Sequence, residues 1–110
     1  MEKTYNKLVR DNIPNIIKSN GETPITRILT NEEYKQELEK KLYEEYQEVL
    51  ESSGKDRIEE LADMLEVIKS LAKLEDKCLE DIIAAANQKN SKRGAFNDKI
   101  FLEKVITNNK

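Results

Sequence analysis

The sequence predicts a mainly α protein: an antiparallel helical bundle with a small two-stranded β-ribbon, assembled as an oligomer. Three observations predict it. Charged residues make up 37% and aromatics 5% of the 110 positions, with no Trp, a composition typical of charge-laced helices. Apolar residues recur at helical spacing over long stretches. A chain this short and polar also tends to bury part of its apolar surface against other copies. Its length implies one domain spanning 1–110.

The elements follow in order. "VRDNIPNIIKSNGETP" (9–24) reads as a short helix, with Asp11 able to cap its start and Gly21 just past its end. Pro24 blocks continuation. "ITRILT" (25–30) alternates apolar and polar residues and reads as a strand. Thr30-x-x-Glu33 is a capping-box pattern, so a long helix is expected from Asn31 to Glu51. "SSGKD" breaks it. A second long helix is expected from Asp56 to Leu74, and a third from Leu79 to Lys92, ending near Gly94. The tail "DKIFLEKVI" (98–106) alternates again. Because a lone strand is unstable, it is expected to pair with 25–30 as the ribbon.

Composition excludes several chemistries. The chain has no His, which removes Ser-His-Asp and Cys-His catalysis and mixed Cys/His zinc sites. Its one Cys excludes an intrachain disulfide and fits a reducing compartment. The net charge of −3 gives no basic footprint for a nucleic-acid polymer. No apolar run is long enough to span a membrane, and the first residues lack a signal-like apolar stretch. A cytoplasmic protein is the expectation.

The acids are more informative. On the first long helix Tyr34, Leu38, Leu42 and Val49 make an apolar stripe. Glu45 falls inside that stripe and Glu48 at its edge. The second long helix has a broad apolar face (Ile58, Leu61, Ala62, Leu65, Ile68, Ala72) and a narrower stripe (Val67, Leu71, Leu74) on the opposite flank. Glu60 and Asp63 lie on the narrower one. An antiparallel hairpin about Gly54 would bring the two acidic pairs level. Unpaired, four such carboxylates repel and their pKa values rise. A hard divalent cation resolves this, Mg²⁺ first and Mn²⁺ as the alternative. A chain with 22 acids also produces such pairs by chance, and either pair alone reads as a solvated face. The pattern by itself leaves the metal site and the solvated surface both open.

A resemblance bears on that choice. "EEYQE" followed by "EELAD" resembles the ExxE…ExxD signature of the MazG-like all-α nucleoside triphosphate pyrophosphohydrolases. "YNKLVRDNIP", "KLYEEYQEVLE" and "SKRGAFNDKIFLEKV" are similar to a small-protein branch of that superfamily, related to the phosphoribosyl-ATP pyrophosphohydrolases. The likeness runs from about Tyr5 to Val105. Gly-Ala-Phe at 94–96 stands where Gly-Gly-Phe is the branch pattern.

The resemblance implies a helical homodimer or homotetramer that hydrolyses a nucleoside triphosphate to the monophosphate and pyrophosphate. It implies Mg²⁺ held by Glu45, Glu48, Glu60 and Asp63, with Glu45 or Glu48 activating water as the catalytic carboxylate. It implies phosphate contacts from Lys89 and Arg93. Lys7 and Arg10 are read as further substrate contacts, the alternative being a packing or intersubunit salt bridge. Phosphoribosyl-ATP is the alternative substrate, and a non-catalytic helical interaction module the alternative of a different kind.

Overall fold

The computed structural model describes residues 1–108. Four helices follow one another: α1 (Ile13–Ser19), α2 (Asn31–Glu51), α3 (Gly54–Leu74) and α4 (Leu79–Arg93). The chain divides into two compact units, Met1–Leu79 and Glu80–Lys110. No helix among the described residues is long and apolar enough to cross a membrane.

In the first unit, α1 starts with Pro14 in its first turn, where the missing N–H costs nothing. Asn12, not Asp11, takes the N-cap position, and no side chain caps the helix. The expected Asp11 cap is therefore not made. The far end matches expectation. Gly21 has φ +83°, its N–H donates to the Lys18 carbonyl, and the Glu22 N–H donates to the Ile17 carbonyl. This pairing closes a helix through a left-handed residue that only glycine adopts at little cost.

The start of α2 is fixed by a reciprocal cap. The Glu33 N–H donates to Thr30 Oγ1 at 3.2 Å, and the Thr30 N–H donates to Glu33 Oε1 at 3.0 Å. Arg27 donates to both oxygens of the same carboxylate at 3.2 and 3.0 Å. These bonds hold the Glu33 pKa down at about 2, the Arg27 bond being the largest cause.

Two residues, Ser52 and Ser53, join α2 to α3. So short a link needs a backbone reversal, and Gly54 at φ +57° supplies it. Helix α3 therefore begins two residues earlier than the sequence suggests. The two helices pack side by side. From α2, Leu38 is buried, with Tyr34, Leu42 and Val49 half-buried on the same stripe. From α3, Val67 and Ala72 are buried and Leu71 half-buried. Val67 and Leu71 of the narrower α3 stripe line the seam, on the flank that also carries Glu60 and Asp63, whereas the buried Ala72 belongs to the broad face. Much of the broad face stays open, with Ile58 67% and Leu65 46% exposed.

The β-ribbon is corrected. Among the described residues no strand forms. Alternation marks two faces of an extended chain, but a strand exists only when a neighbour satisfies its backbone groups. Residues 25–30 serve as the lead-in to α2 instead, with Arg27 bonded to Glu33 in the first turn of the helix. Ile25 and Ile28 are almost fully exposed. In the second unit, α4 ends at Arg93 and is followed by Gly94, which has φ +80°. Ile100, Phe101, Leu102 and Val105 beyond it are exposed and lie outside any helix.

The cap and the seam give a direct test. Thr30→Ala should cost about 1 kcal/mol, and Leu38→Ala about 2–5 kcal/mol, in urea unfolding. A Leu38→Ala cost no larger than that of Thr30→Ala would contradict the seam.

Candidate metal centre

The geometry of the acidic site follows from counting along the hairpin. Glu45 lies nine residues before Gly54 and Asp63 nine after it. Glu48 lies six before and Glu60 six after. An antiparallel pair therefore sets Glu45 level with Asp63, and Glu48 level with Glu60. Rotation adds the second coordinate. Glu45 follows the buried Leu38 by seven residues, and Glu60 precedes the buried Val67 by seven. Seven residues are close to two helical turns, so each acid shares its helix's packed face.

The side chains meet accordingly. Glu45, Glu60 and Asp63 are half-buried. Each offers a carboxylate oxygen, and these oxygens lie within 4.8 Å of one another. Oε2 of Glu45 and Oε2 of Glu60 are buried and have no hydrogen-bond partner. Glu48 is exposed and stands beside Glu45 and Glu60, outside the three-oxygen set. The two acidic motifs that the sequence singles out thus converge, with three of their four acids arranged as a ligand set.

The charges register this crowding. Burial pushes the Glu45 carboxyl above its ordinary value, and the adjacent Glu48 pushes it further, with a smaller effect from Asp63. Glu60 is pushed up to about 7. The largest cause is its hydrogen-bonding contact with Glu48, followed by burial and then by the charges of Glu48, Asp63 and Glu45. Burial and neighbouring acids raise both carboxyls, and at Glu45 the charge of Lys41 opposes the rise.

A hard divalent cation fits this donor set. All the donors are carboxylate oxygens, two of which are already desolvated. Oxygens on one Mg²⁺ stand about 4.2 Å apart at most, so small side-chain movements would close the set.

The basic residues divide into three groups. Arg10 reaches the cluster: its Nη2 is 2.7 Å from Asp63 Oδ1. That is a salt bridge between the N-terminal segment and α3, the alternative the sequence left open. No local pattern announces it, since 53 positions separate the partners. Lys7 instead stacks over the Tyr5 ring at 5.5 Å, and Lys3 does so at 5.1 Å. Lys89 and Arg93 are exposed on α4 in the second unit, four residues apart and hence on one helix face.

Comparison with known proteins adds little. No family model matches the chain, and no solved structure matches it. An uncharacterized protein of Mycolicibacterium smegmatis is 42% identical over 50 residues, which is 46% of this chain. The match spans about half, 51%, of that relative's length.

The raised Glu60 pKa sets a pH dependence. A carboxyl whose pKa rises from 4.5 to about 7 on folding binds its proton more tightly in the native state. Its stabilising contribution is complete below about pH 4.5 and is lost as pH climbs through about 7. In chelator, the melting temperature of the wild type should carry a downward component across this window. Glu60→Gln should flatten it. An identical slope in the two proteins would contradict the placement of Glu60.

Proposed function

We propose that the protein is a divalent-cation-dependent nucleotide pyrophosphohydrolase, converting a nucleoside triphosphate and water to the monophosphate and pyrophosphate, with a nucleotide-pool house-cleaning role. The observation that carries this reading is the Glu45, Glu60 and Asp63 oxygen set, with two buried oxygens lacking any partner. Such an arrangement is costly unless a cation completes it. The sequence resemblance then selects the reaction.

In this reading Glu45, Glu60 and Asp63 hold the cation, Mg²⁺ or Mn²⁺. Bound there, it would supply positive charge to the phosphate oxygens and Lewis acidity toward the reacting water. Glu48 sits beside these carboxylates without joining the three-oxygen set. In the proposed mechanism it accepts a proton from the attacking water as the bond between the first and second phosphates breaks. Glu45 is the second carboxylate able to orient that water. On the strength of the resemblance alone, Lys89 and Arg93 are assigned to carry charge for the phosphates, the Arg fork suiting two oxygens at once. Phosphoribosyl-ATP is the alternative substrate, on the strength of the branch resemblance.

The proposed assembly is a homodimer or homotetramer. Its support is the open broad face of α3, where Ile58, Leu61 and Leu65 are all exposed. A patch of this kind on a helix that packs along its other flank suits contact with another copy.

Two measurements test the reading. A panel of NTPs, dNTPs and phosphoribosyl-ATP with a pyrophosphate readout should show Mg²⁺-dependent release from at least one compound. Glu45→Gln and Asp63→Asn should cut that release by about 100-fold or more while the protein stays folded. No release across the panel, with no effect of Mg²⁺ on melting, would favour a non-catalytic helical interaction module. Light scattering should give a dimer or tetramer mass, and a stable monomer at micromolar concentration would refute the assembly.

A further inference from the structure

The segment ahead of α1 is tied to the helical hairpin by an ion pair of unusual position. Arg10 bonds Asp63, the very carboxylate whose oxygen belongs to the set with Glu45 and Glu60. One positive group of the chain therefore already stands at the wall of the acidic cluster. It does not satisfy the inner oxygens of Glu45 and Glu60, which keep no partner.

We propose that Arg10 is a built-in counter-cation: it competes with the divalent ion for Asp63 and, once displaced, turns to the polyphosphate of the incoming nucleotide. This rests on the cation-binding reading above and adds to it the order in which charges are exchanged. Four considerations support it. The pair is weakly anchored, with the Arg10 side chain 59% and the Asp63 side chain 44% exposed, so displacing it costs little. A divalent ion on Asp63 would stand within a few ångströms of the guanidinium, and like charges repel at that range. A triphosphate, in contrast, offers the planar guanidinium paired oxygens that match its donors. The same segment also carries Lys3 and Lys7, gathered on the Tyr5 ring, so the group released from Asp63 belongs to a positively charged strap.

Competition predicts an affinity change that a purely structural salt bridge does not. Mn²⁺ binding to the full chain, read as free Mn²⁺ by electron paramagnetic resonance without nucleotide, should be about two- to five-fold tighter in Arg10→Gln, corresponding to loss of an exposed ion pair. Arg10→Lys should fall between the two. Lys3→Gln removes the same charge from the same strap without touching Asp63 and should stay near wild type. With Mn²⁺ present, a non-hydrolysable triphosphate analogue should bind Arg10→Gln about tenfold more weakly. Unchanged or weaker Mn²⁺ binding in Arg10→Gln would overturn the inference while leaving the cation site intact. Equal tightening in Lys3→Gln would also overturn it, reducing the effect to net charge. Absence of Mn²⁺ binding to the wild type would remove the cation site and this inference together.

Discussion

Like charges held in a packed seam are the constraint on which this structure turns. The α2–α3 hairpin is stabilised by apolar contacts among few residues, with Leu38, Val67 and Ala72 the most buried. The same helical phase that buries Leu38 and Val67 carries Glu45 and Glu60 inward. The chain cannot pack this seam without bringing the acids together. Burial and neighbouring acids push the Glu45 and Glu60 carboxyls above their ordinary values, and Arg10 bonds Asp63. The inner oxygens of Glu45 and Glu60 keep no hydrogen-bond partner.

The rest of the first unit holds that seam in register. The two-residue link and left-handed Gly54 fix which residues of α2 and α3 lie level. The Thr30–Glu33 cap with Arg27 fixes where α2 starts. Glu33 and Glu60 show the same residue type driven in opposite directions. Bonds from Arg27 and the Thr30 N–H pull one to about 2, whereas a neighbouring acid and burial push the other to about 7. One carboxylate is hydrogen-bonded within the α2 cap. The other has an inner oxygen with no hydrogen-bond partner.

What the sequence made legible was local. The bounds of α2 and its capping box follow from residues three apart, and the inward acids follow from helical phase along each helix. What it hid was non-local. Residues 25–30 and 98–106 have strand-like alternation, but alternation does not specify a partner, and no strand forms among the described residues. The two apolar flanks of α3 both look packable, and only the fold shows that Val67 and Leu71 of the narrower one line the seam. The Arg10–Asp63 pair spans 53 positions, so no window on the sequence contains it. The Asp11 cap failed for a subtler reason: α1 begins one turn-position later, with Asn12 at the boundary and no side-chain bond.

The proposed function requires this seam to exchange protons for a divalent cation. Calorimetric titration of the metal-free protein with Mg²⁺ at pH 7, repeated in buffers of different ionisation enthalpy, measures that exchange most directly. The account predicts saturable binding with release of about half a proton or more per ion, since a carboxyl with its pKa near 7 is about half protonated there. Absence of saturable binding, or binding with no proton release, would contradict it.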